Sequence, residues 1–196
     1  MYKNQSKQCV VLAAGLSSRM GKWKMVMPWG GGTILDSALA SALSFCDRVV
    51  LVTGFRGDEL KAYYQDHPRI DIVHNADFEA GMFSSVKRGV AAITSRRFFL
   101  ALGDMPEVTP DVYHALWCRP EHGTCLIPGY DHGKGHPVLL PYPAIKLIKN
   151  APNGTTMKDV MRQLETKVIP VDTLGIHWDV DTPVDYEQVA RWSRVM

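Results

Sequence analysis

Apolar runs alternate with amphipathic stretches along most of this chain. The segments 9–14 (CVVLAA), 48–53 (RVVLVT), 70–74 (IDIVH) and 98–104 (FFLALGD) are short and rich in Val, Leu and Phe, which predicts strands buried on both faces. Between them, 33–45 carries Leu35, Leu39 and Leu43 at helical spacing, and 58–65 and 84–93 also read as helices. Thr109 followed by Pro110 signals a helix start, with the hydroxyl as cap and the helix ending near Cys118. The pattern then becomes less regular. TCLIP and PVLLP predict short strands bracketed by prolines, and 142–150 and 156–164 predict helices. KVIPV and HWDVD (177–181) read as late strands. Thr182, Pro183 and Asp185 form the signature of a capping box before a last helix reaching about Trp192.

Strand–helix alternation predicts an α/β fold: a Rossmann-like three-layer sandwich, with a mostly parallel sheet and helices on both faces. The 196 residues suit one domain, taken as 9–196 after an N-terminal extension at 1–8. In such sheets ligands bind beyond the carboxyl ends of the strands. That directs attention to Ala14, Asn75, Gly103-Asp104 and Asp181.

Composition narrows the classes of function. A formal charge of +2 is too small to indicate a nucleic-acid or membrane-surface protein, so positive field must be local, as at Arg19, Lys22 and Lys24. No apolar run approaches transmembrane length, and the apolar run at 9–14 is too short for a signal peptide. Cys9, Cys46, Cys118 and Cys125 form no C-x-x-C pair, and read as buried free thiols of a cytoplasmic protein.

The cationic cluster lies in LAAGLSSRMGKWK, directly after the first strand. Gly15 and Gly21 are five residues apart and Lys22 precedes Trp23, which departs from a Walker A loop; G-x-G-x-x-G is also absent. The stretch still suits a phosphate. Ala13, Ala14 and Gly15 let backbone N–H groups approach a ligand, Ser17 and Ser18 add hydroxyls, and Arg19 and Lys24 add charge. Asp104, in LGDMP, stands at a strand end where a carboxylate is rigidly presented. In WDVDTPVD, Asp181 is the preferred second metal ligand and Asp179 the alternate. Hard magnesium favours such oxygens.

The pattern Leu12, Ala13, Ala14, Gly15, Ser17, Arg19, Met20, Gly21 and Lys24 resembles the opening motif of molybdenum cofactor nucleotidyltransferases, which carry a MobA-like NTP transferase domain. The Ala-Ala-Gly form resembles the cytidylyltransferase branch. The GDMP segment and the D-x-D-T-P-x-D segment also match, as does the N-x-x-x-x-x-G-M-x-S-S type segment carried by Asn75, Gly81, Met82, Ser84 and Ser85. The resemblance places Leu12, Asn75, Gly81, Ser84 and Ser85 near the nucleotide, although both serines also read as helix-starting residues. Gly135, His136 and Pro137 resemble an acceptor-facing loop; as a zinc pair, His132 and His136 lack further ligands nearby.

The resemblance implies a magnesium-dependent enzyme with Arg19, Lys24, Asp104 and Asp181 as catalytic residues. It would transfer CMP from CTP to the phosphate of a molybdopterin-type cofactor and release pyrophosphate. GTP as donor, or a sugar or alcohol phosphate as acceptor, uses the same chemistry. A client molybdoenzyme or its maturation factor is an implied partner. A nucleotide-binding regulator or carrier without turnover is the alternative from another class; it has little need for two metal ligands.

Overall fold

The computed structural model describes residues 6–193. In chain order its elements are β1 (Gln8–Ala13), β2 (Pro28–Trp29), β3 (Gly32–Thr33), α1 (Ile34–Phe45), β4 (Arg48–Thr53), α2 (Gly57–Tyr64), β5 (Ile70–His74), α3 (Met82–Ala91) and β6 (Arg97–Leu102). They continue with α4 (Pro110–Trp117), β7 (Cys125–Tyr130), β8 (Gly133–Lys134), β9 (Val138–Pro141), α5 (Tyr142–Asn150), α6 (Met157–Met161), β10 (Thr166–Pro170) and α7 (Pro183–Ser193).

One sheet carries the strand order β10-β7-β9-β6-β1-β4-β5, with β8 paired to β7. The pairs β6–β1, β1–β4, β4–β5 and β10–β7 are parallel, whereas β9 runs antiparallel to both of its neighbours. The alternation of β1 assigns its side chains to two layers. Cys9, Val11 and Ala13 pack with Leu35, Leu39 and Leu116 on one face of the sheet. Val10 and Leu12 pack with Val86, Val90, Ile145, Ile148 and Val160 on the other. This is the expected three-layer sandwich.

Local chemistry explains the element starts. Thr33 and Asp36 cap α1 reciprocally, and Thr182 and Asp185 make the corresponding bonds before α7. Thr109 precedes α4 with Pro110 at its first turn, but the threonine side chain makes no capping bond. Gln8 belongs to β1, where its Oε1 accepts from the N–H groups of Thr94 and Ser95. Positions 1–5 of the expected extension lie outside the described residues.

Four expectations need correction. The segment 177–181 is not a strand: a 3-10 turn at Leu174–His177 leads into an extended stretch held by one backbone bond, from Val180 N–H to Asp104 C=O at 2.9 Å. On either side of β6, β1 and β9 already take the ladder positions, so no further strand can form there. The helix expected at 156–164 is only Met157–Met161, and α3 begins at Met82, ahead of Ser84. Cys118 is exposed, while the other three thiols are buried.

Close approach of α3 to the sheet depends on Gly89. A Cβ there would lie 2.4 Å from Val10 Cγ1 and 2.7 Å from Val52 Cγ2. Gly89→Ala therefore destabilises the fold by about 1–3 kcal/mol despite alanine's better helix propensity. Urea unfolding checks this; an unchanged midpoint would show that α3 has room to shift.

Candidate active site

The site grows from three chain segments that follow a strand end or precede a helix. The first leaves β1 at Ala13 and runs to Lys24. Ser17 lies in the left-handed region at φ 57, as does Gly21 at φ 68, so the turn folds back on itself. Met20 N–H donates to Ser17 C=O at 3.0 Å, and Lys24 N–H donates to Ser17 Oγ at 3.2 Å. Those bonds fix the turn, while buried Met20 anchors it against Trp29, Ile34, Val180 and Val189. The second segment leaves β6, where Gly103 N–H donates to Leu12 C=O at 2.9 Å. A Cβ on Gly103 would meet that same oxygen at 2.9 Å, so glycine lets Asp104 sit close to β1. The third is the stretch before α7, docked to Asp104 through Val180.

These segments place their charges together. Lys24 Nζ lies 2.5 Å from Asp104 Oδ2 and 2.7 Å from Asp181 Oδ1. Arg19 Nη2 lies 2.5 Å from Asp181 Oδ2. The Lys24 side chain is only 9% exposed, whereas that of Arg19 is 70% exposed. Burial alone pulls the Lys24 pKa down, but Asp104 and Asp181 together outweigh it and hold the ammonium above its ordinary value. Burial likewise pushes Asp181 up, and Lys24 and Arg19 reverse this, leaving it below its ordinary value. Asp179 moves the other way: burial raises it, and the neighbouring charges of Asp104 and Asp181 add to the rise.

A cleft of about 550 Å³ opens over this cluster. Leu12, Ala14, Gly15, Ser17, Ser18, Arg19 and Lys24 line it from the first segment. Gly81 and Ser85 face it from the start of α3, and Asp104, Asp179 and Asp181 from the remaining two segments. Ala13 instead packs into the core. Asn75 and Ser84 do not line the cleft. Fully buried Asn75 donates through Nδ2 to Ser84 Oγ at 2.8 Å and Ser85 Oγ at 3.0 Å, tying the end of β5 to α3. Gly135 and His136 line an adjoining cavity of about 380 Å³, which shares Leu102 and Asp179 with the cleft; Pro137 does not line it. Burial holds His136 below the ordinary histidine value.

Phe78 and Leu16 also line the cleft and carry no motif signal that would have selected them. Met82, in the G-M-x-S-S segment, lines it too and is 64% exposed. His177 and Lys134 similarly line the adjoining cavity. Trp23 and Trp29, which flank Lys24 in sequence, are buried away from the cleft.

The donor set of the cleft has room for a metal. Asp104 Oδ1 is buried and has no hydrogen-bond partner, leaving a carboxylate lone pair free. Among the described residues no group of three or more ligating side chains forms an all-protein cage. One or two carboxylates with substrate phosphates completing the shell is how magnesium is commonly held, so the residues fit a hard divalent cation.

A mostly parallel sheet with a cationic, glycine-containing turn facing two carboxylates beyond its strand ends is the arrangement of a Rossmann-like nucleotidyltransferase. The MobA-like NTP transferase domain matches residues 9–168, and the chain belongs to that family. It is 40% identical over 178 residues to the molybdenum cofactor cytidylyltransferase of Escherichia coli K12, covering 91% of this chain and 92% of that protein. Among solved structures, the Mycobacterium sp. strain JC1 homologue of Mycobacterium tuberculosis Rv0371c aligns with a TM-score of 0.83 at 26% identity, covering 97% and 98% of the two chains. The complex of Rv0371c with manganese aligns with a TM-score of 0.78 at 22% identity, covering 96% and 99%. Enzymes of this family generally use a divalent metal. Among the described residues, no helix is long and apolar enough to cross a membrane.

The ion cluster predicts a measurable coupling. Asp181's depressed pKa stabilises the fold above the ordinary carboxylate value of about 3.9, and that stabilisation is lost as pH falls through the lower folded value. Lys24→Met removes the main attraction, so the Asp181 pKa rises and this acid-sensitive contribution shrinks. Carboxyl ¹³C NMR titration reads the shift; an unmoved Asp181 would mean that Lys24 does not hold it.

Proposed function

We propose that this enzyme transfers CMP from CTP to the phosphate of a molybdopterin-type cofactor, with magnesium, releasing pyrophosphate. The observation that carries the reading is Lys24 Nζ seated between Asp104 and Asp181 beneath the Gly15–Arg19 turn. The 40% identity to a molybdenum cofactor cytidylyltransferase supports the choice of CTP and acceptor. We assign the catalytic domain to 9–196. We place it in the cytoplasm, a reducing compartment that suits four free cysteines. A client molybdoenzyme or its maturation factor would take the product.

In this reading Leu12, Ala13, Ala14 and Gly15 bring the backbone against the nucleotide. Ser17 and Ser18 add hydroxyl donors; Ser17 Oγ already accepts from Lys24 N–H and keeps its own proton to donate. Arg19 and Lys24 take the charge of the departing pyrophosphate. Gly81 leaves a side of the cleft open to the base or ribose, with Phe78 and Met82 as apolar neighbours. Ser85 faces the nucleotide, and Asn75 and Ser84 position Ser85 and the start of α3. Asp104 and Asp181 would hold magnesium, which supplies charge neutralisation on the reacting phosphate. Asp179 is the alternate ligand.

Displacement at phosphorus places nucleophile and leaving group in line. With pyrophosphate held by the turn, the acceptor enters from the far side of Asp104 and Asp181. The cavity bearing Gly135 and His136 adjoins the cleft through Asp179, and we assign it, with Pro137 shaping its loop, to the acceptor. The acceptor phosphate is already ionised, so the protein needs no side-chain nucleophile and instead contributes orientation and charge.

Thermal shift with CTP, GTP, ATP and UTP plus magnesium tests the donor, and pyrophosphate release with a molybdopterin acceptor tests turnover. CTP is expected to stabilise most, and GTP doing so would transfer the assignment to a guanylyltransferase. Asp104→Ala is expected to lower turnover by at least about 100-fold with the fold retained; near-normal turnover would remove Asp104 from the reaction. Lys24→Ala should weaken triphosphate binding more than monophosphate binding in calorimetry, and equal losses would refute its assigned contact.

A further inference from the structure

The cavity of about 380 Å³ beside the cleft has a wall that no motif selected. That wall is the 3-10 turn Leu174–His177, which leads into the stretch carrying Asp179, Val180 and Asp181. The loop between β8 and β9 is pressed against it. His136 N–H donates to Ile176 C=O at 3.1 Å, and a Cβ on Gly135 would come within 2.1 Å of that same oxygen. Val180 N–H holds the other end of the stretch to Asp104 C=O at 2.9 Å. The wall is therefore fixed at both ends by backbone, and its side chains are held in place before any ligand arrives.

His177 ends the turn and lines the cavity with Lys134 and His136. One edge of its ring lies on Gly133: a Cβ there would fall 2.7 Å from both Cε1 and Nε2. Nε2 is buried and has no hydrogen-bond partner. A buried N–H without an acceptor is costlier than a buried lone pair, so the neutral ring carries its proton on Nδ1. No described residue bonds to Nδ1 either, which leaves His177 a donor without an acceptor. Lys134 is exposed, and its ammonium also offers donors alone. Asp179 is the one acid lining the cavity, and it lies on the boundary with the cleft. The remaining lining includes the apolar side chains of Leu102, Met105 and Ile176.

We propose that His177 and Lys134 bind the attacking phosphate of the acceptor, so that the enzyme recognises its acceptor as a phosphomonoester. The inference rests on the reading of this cavity as the acceptor's. Phosphate oxygens are acceptors, which is what an ammonium and an Nδ1–H require. Two residues of extended chain span at most about 7 Å, so a phosphate on His177 stands close to Asp179, where the cavity opens into the cleft. Lys134 supplies the charge and His177 a directed hydrogen bond. Neither makes or breaks a bond; both fix the group that attacks.

Long-range ¹H–¹⁵N NMR of the imidazoles reads this contact in the unaltered protein without turnover. Inorganic phosphate, added without nucleotide or metal, is expected to shift His177 Nδ1 saturably. His67, which lines neither the cavity nor the cleft, is expected to stay unmoved. Lys134→Met is expected to weaken the His177 response about tenfold in phosphate concentration. In turnover, His177→Leu is expected to raise the acceptor KM about tenfold or more and leave the CTP KM unchanged. His177→Asn, which keeps a donor near the Nδ1 position, is expected to restore most of that loss; a merely structural role would move both KM values together. An unmoved His177, a shift no larger than that of His67, or an unchanged acceptor KM in the leucine variant overturns the inference and leaves the reading of the site intact. Absence of turnover with CTP and a molybdopterin acceptor, with the His177 response retained, overturns that reading instead and keeps the phosphate contact.

Discussion

A buried ammonium between two carboxylates organises the cleft at the carboxyl ends of the strands. Lys24 and Asp104 are 80 residues apart, and Lys24 and Asp181 are 157 apart. The charge of each is tolerable only because of the others, since burial opposes ionisation at both Lys24 and Asp181. The contact therefore requires three segments to be in register at once: the turn after β1, the turn after β6, and the stretch before α7. Backbone bonds from Gly103 to Leu12 and from Val180 to Asp104 hold that register. The sheet supplies rigidity, and the charges sit where the strands stop.

What the sequence revealed followed from chemistry that is local along the chain. The β1 turn was legible because Gly15, Gly21, Arg19 and Lys24 lie within a few residues of one apolar run. Asp104 was legible because it ends another. The partnership between Lys24 and Asp181 was not, because no periodicity records a distance across the fold. Alternation in HWDVD was read as a strand, but an extended stretch with one backbone bond produces the same pattern. Both acids nevertheless face the cleft. Asn75 shows the opposite case. Its neighbourhood in sequence is that of a nucleotide contact, yet full burial commits its amide to Ser84 and Ser85. Phe78 was invisible because an apolar side chain beside a site has the same composition as one in the core.

The two ends of the sheet treat positive charge differently. At the carboxyl ends, Lys24 and Arg19 are matched by carboxylates, so the free cluster is nearly neutral before any ligand arrives. At the other end, Arg97 is fixed by helix carbonyls and a tryptophan ring, with no ion-pair partner among the described residues. Matched charge favours exchange of partners.

Exchange of partners also constrains how the catalytic cleft fills under the proposed reading. The carboxylates that hold Lys24 are the same ones assigned to the metal. A cation entering alone meets the Lys24 ammonium as a like charge. A triphosphate entering alone meets Asp104 and Asp181 as like charges. The two together would resolve both conflicts, because phosphate oxygens would offer Lys24 a new counter-charge and leave Asp104 and Asp181 free to hold the metal. Metal and nucleotide binding would then be cooperative without any conformational switch in the sheet. The coupling lies in the lysine, which must leave one set of oxygens before it can serve another.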